Sequence, residues 1–226
     1  EILPSDWSSD VCSSDLVRTL ERLMERLSPK ENDQLVFLGD YIDRGPSSRE
    51  IISFLLELQQ RHVCFFIMGN HEQMYLDHLK TGRIDFWLNN GGKATLRSYG
   101  SRKNVAFPEK HHRFLSDCRY YIETDHYFFT HGGLDPELSI KNNLRYYKSE
   151  AFCWQRKHMQ TSLLQKQAFP WEKTLVCAHT PVEKPVLLDN LIAIDTGCVY
   201  HDNPELGNLT AVVLPDRKIV QTKYCD

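Results

Sequence analysis

An α/β fold is predicted for this 226-residue chain by three observations. Short apolar runs of strand length alternate with stretches of helical periodicity. Each early run stops at a glycine, at Gly39 and at Gly69. The first two runs bracket a helical stretch within about 35 residues, the signature of a βαβ unit with parallel strands and a right-handed crossover.

Leu16, Val17, Leu20, Leu23, Met24 and Leu27 recur at spacings of three and four, which predicts a helix capped by Ser14 or Asp15 and ended by Ser28-Pro29. Leu35–Leu38 reads as a buried strand, Ser48–Gln60 as a helix, and Val63–Met68 as a second buried strand. Glu72–Lys80 is helical, Asn89–Gly92 a turn, Lys93–Tyr99 and His111–Cys118 short helices. Two strands, 120–123 and 127–130, flank a turn at Thr124-Asp125-His126. Thr174–Ala178 and Leu191–Ile194 are further strands, and 209–214 with 218–223 form a hairpin around Pro215-Asp216.

Composition bounds the function. Hydrophobic residues make up 41% and charged residues 25%, which excludes a disordered tail. The longest apolar run is Val63–Met68, whereas a membrane-spanning helix needs about 20 residues, so no membrane partner is expected. A net charge of −3 argues against a nucleic-acid partner. Seven cysteines without C-x-x-C spacing read as reduced thiols of a cytoplasmic protein. Residues 1–15 repeat Ser-Ser-Asp and read as a disordered or non-native segment resembling translated adapter sequence, with one domain over 16–226.

The chemistry lies one step past the strands. Asp40, Asn70, His131 and His179 each follow an apolar run, and ligands of open α/β sheets bind outside the carboxyl ends of the strands. Taken singly, each has a plain structural reading: Asn70 beside Gly69 makes a turn, Asp43-Arg44 is a loop ion pair, a histidine after a strand hydrogen-bonds its loop. Their joint occurrence at strand ends of one sheet points to a shared site. Carboxylate, amide oxygen and two imidazoles suit Mn²⁺, Fe²⁺ or Zn²⁺ better than Ca²⁺, which prefers oxygen throughout. Asp40 can bridge two ions, as an imidazole cannot. His62, His78, His111, His112, His126, His158 and His201 lack such neighbours and read as solvated or structural.

Gly39-Asp40-Tyr41-Ile42-Asp43-Arg44-Gly45, Gly69-Asn70-His71-Glu72 and His131-Gly132-Gly133 resemble the second, third and fourth signatures of the phosphoprotein phosphatase family, the calcineurin-like metallophosphoesterases. Asn90–Leu96, Ala178-His179-Thr180-Pro181 and Ile194–Tyr200 resemble its bacterial and lambda-phage serine/threonine phosphatase branch. The resemblance spans residues 16–214 and implies a mixed β-sandwich flanked by helices. It implies two divalent transition-metal ions, Mn first, with Asp40 bridging and Asn70, His131 and His179 completing the second site. His71 is similar to the family's general acid, held by Asp43, and Arg44 to a phosphate clamp. A second clamp is expected at Arg156, with Arg145 as competitor.

One signature is missing. Asp-x-His-Gly, which supplies the first ion, should lie just before Val17, yet no histidine precedes His62 and no glycine precedes Gly39. The first strand is therefore expected to be lost, with Asp6, Asp10 or Asp15 as the stand-in carboxylates available. His201–Gly207 is a polar insertion where relatives have a short turn. The implied activity is hydrolysis of phosphoserine and phosphothreonine by metal-bound hydroxide, on a phosphoprotein or a phosphorylated small molecule. The alternatives are a symmetrical bis(5'-nucleosyl)-tetraphosphatase and an impaired module that binds phosphate or protein. Symmetrical hydrolases carry Gly-His-Trp where this chain has Ala178-His179-Thr180, which leans toward the phosphatase.

Overall fold

The structure, a computed structural model, describes residues 16–101, 107–166 and 168–226, and the backbone of 6–9. Among these residues, ten strands form two five-stranded sheets. The first has the order β10-β9-β1-β2-β3, from Lys218–Lys223, Asn208–Val213, Asp6–Ser9, Gln34–Phe37 and Val63–Phe66. The second has the order β4-β5-β6-β8-β7, from Tyr121–Glu123, Tyr127–Thr130, Thr174–Cys177, Leu191–Ala193 and Val186–Leu188.

Alternation along the strands explains why two sheets stack. In β2, Leu35 and Phe37 pack outward against helices, while Val36 and Leu38 pack inward. In β6, Val176 and then Ala178 join that same inner layer, and Leu175 and Cys177 face the opposite outer layer. In β8, Ile192 and Ile194 do likewise. A strand places successive side chains on opposite faces, so runs apolar at every position are buried on both sides. Each such side chain removed from water contributes about 1.5–3 kcal/mol.

Helices cover the outer faces. Leu20, Leu23 and Leu27 of α1 (Val17–Leu27) and Ile51, Ile52 and Leu55 of α2 (Ser48–Leu58) pack on the first sheet. α3 (Asn70–Thr81) follows β3, and α4 (Asp85–Trp87), a π turn at Leu88–Gly92, α5 (Lys93–Ser98) and α6 (Glu109–Asp117) continue that layer. α7 (Ile140–Tyr146) and α8 (Thr161–Lys166) lie with the second sheet, where Ile140 joins Phe152 and Trp171.

Two expectations are corrected here. The first strand is not lost: the backbone of Asp6–Ser9 pairs parallel with β2 and antiparallel with β9, at the centre of its sheet. Backbone hydrogen bonding on both sides forms this strand despite a serine-rich sequence of low strand preference. The four candidate ligands also do not share one sheet. β2 and β3 belong to the first sheet, β5 and β6 to the second. The expected Ser14 or Asp15 cap lies outside the described residues; the amides of Arg18 and Thr19 instead donate to the Asp226 carboxylate, at 2.8 and 2.9 Å. Among the described residues no helix is long and apolar enough to cross a membrane, and no disulfide joins the described cysteines.

Candidate metal centre

The ends of β2, β3, β5 and β6 meet where the two sheets touch. The Nε2 of His131 lies 3.2 Å from Asp40 Oδ1, 3.2 Å from Asn70 Oδ1 and 3.1 Å from His179 Nδ1. Ligand atoms of Asp40, His131 and His179 all fall within 4.8 Å of one another, and all three residues are buried. The other ring nitrogen of His131, Nδ1, donates to the Leu38 carbonyl at 2.6 Å. That bond fixes the tautomer and turns the Nε2 lone pair toward the cluster, as a carbonyl behind a metal-binding imidazole does.

The donor chemistry fits a cation. With its proton on Nδ1, His131 presents Nε2 as an acceptor, and that acceptor faces two others, the Asp40 and Asn70 oxygens. A buried group of mutual acceptors is costly unless a positive charge sits among them. Burial also keeps His179 neutral: desolvation, then the charges of His131 and Arg156, push its pKa down to about 2. Burial opposes ionisation of Asp40, but His131, His71 and His179 outweigh it and hold that carboxyl well below its usual value. A neutral imidazole and an ionised carboxylate are the forms that ligate.

The loops are strained into place. Asp40, Asp43, Arg44 and His179 all adopt positive φ, at 60°, 80°, 69° and 66°. Non-glycine residues hold that conformation only when their surroundings over-determine it. Gly39 has φ 102°, and a Cβ there would meet the Gly69 amide at 2.7 Å. Glu72 supplies much of the constraint: its buried carboxylate accepts from the amides of Asp40 (2.8 Å), Tyr41 (2.7 Å), Ile42 (3.2 Å) and Gly69 (2.9 Å). The strand-end pattern does not single out Glu72, which lies in the first turn of α3. Its position three residues past Gly69, where a helix-capping glutamate reaches back, was the available signal.

Beside the cluster, His71 Nδ1 and Asp43 Oδ2 are 2.7 Å apart. Asp43 also accepts from Trp87 Nε1 at 2.9 Å and Thr95 Oγ1 at 2.6 Å. Nothing local in the sequence pointed to Trp87 or Thr95 as partners of Asp43. Burial pulls the His71 pKa down, but the carboxylates of Asp40 and Asp43 more than offset it and hold the imidazole above its ordinary value. His71 Nε2 is buried and makes no hydrogen bond among the described residues.

The two arginines have different partners. Arg156 Nε donates to His179 Nε2 at 2.7 Å, placing its guanidinium against the cluster. Arg44 lies over the Tyr200 ring at 5.6 Å. Arg145, the competitor, stacks on its neighbour Tyr146 at 5.5 Å and has no described contact with the cluster. Asp10 and Asp15 lie outside the described residues, as does the side chain of Asp6. Of the remaining histidines, His158 is fully buried, with its ring against Gly133, and His111 is buried beside Tyr99 and Ser53.

Several known proteins are similar to this chain. The family model for calcineurin-like phosphoesterases matches residues 5–213. The chain is 25% identical over 198 residues to the asymmetrical bis(5'-nucleosyl)-tetraphosphatase PrpE of Anoxybacillus flavithermus, covering 83% of this chain and 78% of that protein. It is 28% identical over 189 residues to serine/threonine-protein phosphatase 1 of Salmonella typhimurium, covering 80% of this chain and 81% of that protein. A solved cold-active protein tyrosine phosphatase shares the fold with a TM-score of 0.67 at 18% identity, over 98% of this chain and 77% of that one.

Proposed function

The chain belongs to the calcineurin-like phosphoesterase family, and from that premise we propose that it hydrolyses a bis(5'-nucleosyl) tetraphosphate in a metal-dependent reaction. The observation that carries the reading is the meeting of Asp40, Asn70, His131 and His179 around one point. The similarity to PrpE directs the substrate toward a dinucleoside polyphosphate and away from the phosphoprotein favoured by the motifs alone. The second reading, a serine/threonine phosphatase, keeps its support from the Salmonella relative.

Asp40, Asn70, His131 and His179 would hold a divalent transition ion, Mn²⁺ first among them. Such an ion, when bound, neutralises phosphate charge and activates water. A second ion is expected from the family, and the sequence lacks the Asp-x-His-Gly that would hold it. Arg156 and Arg44 grip phosphate oxygens, since the guanidinium fork matches two of them at once. His71 donates the Nε2 proton to the departing oxygen, and Asp43 orients the ring and stabilises its positive form. Glu72 keeps Asp40 in its strained backbone conformation.

The test is a product assay on the Mn²⁺-loaded chain. Diadenosine tetraphosphate should be cleaved, to ATP and AMP if the cut is asymmetrical or to two ADP if symmetrical. Release of phosphate from a phosphoserine peptide, with the dinucleotide left whole, would replace this reading with the second. Ion binding with no turnover of either substrate would leave the binding-module alternative.

A further inference from the structure

Four large aromatic side chains are exposed among the described residues: Phe86, Tyr146, Trp154 and Tyr200. Arginine guanidiniums lie over two of them, Arg145 over Tyr146 and Arg44 over Tyr200. The other two pair with each other. The Phe86 and Trp154 rings stand 6.3 Å apart at an interplanar angle of 37°, with 61% and 39% of their surfaces in water.

This pair is fixed beside the candidate metal centre. The Trp154 ring meets the edge of His179 at 6.2 Å. Its indole N–H donates to Gln73 Oε1 at 2.9 Å, on the first turn of α3 after Asn70. The preceding backbone is tied to both sheets: the Phe152 carbonyl accepts from the Gly132 and Gly133 amides at 2.7 and 3.1 Å, and Cys153 Sγ donates to the Met68 carbonyl at 3.1 Å. Arg156, the phosphate clamp of the reading above, is two residues further on. A tryptophan that is held rigid yet left in water keeps its aromatic face without paying ordering entropy on binding.

We propose that Trp154 and Phe86 form a nucleobase-stacking platform, which sets the substrate of this centre as a nucleoside polyphosphate with its base against Trp154. This rests on the tetraphosphate reading above. A base stacked on an aromatic side chain gains binding that no phosphate contact supplies, and any base can make it because each has a π face. The platform therefore predicts preference for nucleotides over bare phosphates, with weak discrimination among bases.

The experiment is calorimetric titration of the Mn²⁺-loaded chain with ADP and with inorganic pyrophosphate. The wild-type chain should bind ADP about tenfold more tightly than pyrophosphate. Trp154→Ala should erase that ratio while leaving pyrophosphate affinity in place, and Trp154→Phe should restore most of it. Phe86→Ala, at a more exposed position, should lower the ratio a few-fold. A Trp154→Ala chain with the wild-type ratio overturns the platform, even if the dinucleotide is cleaved. A Trp154-dependent ADP preference in a chain that cleaves only the phosphopeptide overturns the tetraphosphate reading and keeps the platform.

Discussion

The guanidinium of Arg156 donates through Nε to Nε2 of His179 at 2.7 Å, on the side of the ring opposite His131. A neutral imidazole has one lone pair, so accepting at Nε2 puts the proton on Nδ1, the nitrogen that faces the cluster. Ligation through Nδ1 requires the proton to move to Nε2, and two donors then face each other. Ion binding and the Arg156–His179 contact therefore compete.

From this competition, Arg156→Ala should bind Mn²⁺ a few-fold more tightly than the wild-type chain and bind inorganic phosphate more weakly. Titration with Mn²⁺, followed by phosphate, reads both. Equal or weaker Mn²⁺ affinity in the variant would mean that the contact does not oppose the ion. The same titration on Arg145→Ala should show neither effect.

The His71–Asp43 pair predicts a dependence on the leaving group. His71→Asn should slow hydrolysis of an alkyl phosphate by about 10²–10⁴-fold. The loss should be far smaller for p-nitrophenyl phosphate, whose leaving group needs little protonation. Equal losses on both substrates would remove His71 from the role of acid.

Glu72 predicts a stability effect rather than a chemical one. Its carboxylate gathers four amides, although burial and the neighbouring Asp40 push its pKa up to about 7. Glu72→Gln turns one acceptor oxygen into a donor facing amides, and should cost about 2–3 kcal/mol in urea unfolding. A change within about 0.5 kcal/mol would show that the positive-φ loop holds itself.

His158 predicts an acid sensitivity. Burial pushes its pKa from 6.5 down to about 4, so the folded chain keeps it neutral. Below pH 6.5 the unfolded chain takes up a proton that the folded chain refuses. Stability from this residue is full above that pH and is lost progressively as the pH falls to about 4, by about 3 kcal/mol in all. His158→Leu should flatten the stability profile across that window; a profile parallel to wild type would exclude His158 as the source.

The strands were legible because apolar runs such as Leu35–Leu38 and Val63–Met68 end at glycines that open the loops carrying Asp40 and Asn70, although β3 lies at the edge of its sheet, exposed at Val63 and half-buried to Phe66, and is not the buried strand expected. Their division between two sheets was not, because a run apolar on both faces carries no mark of which sheet it joins. The Asp6–Ser9 strand was illegible for a different reason: its conformation comes from hydrogen bonding to β2 and β9, not from side-chain pattern. At the site, the residues that meet, Asp40, Asn70, His131 and His179, were visible just past strand ends. The residues that hold them were not, because Trp87 and Thr95 reach Asp43 across 44 and 52 residues of chain. Glu72 was the exception, close enough in sequence for capping geometry to have indicated it.

The most direct test of the central claim is Mn²⁺ stoichiometry on the purified chain, by elemental analysis after dialysis and by titration. The claim predicts at least one ion per wild-type chain, with affinity lowered more than tenfold by His131→Ala and by Asp40→Asn. A His131→Ala chain that retains the ion as tightly as wild type would contradict it.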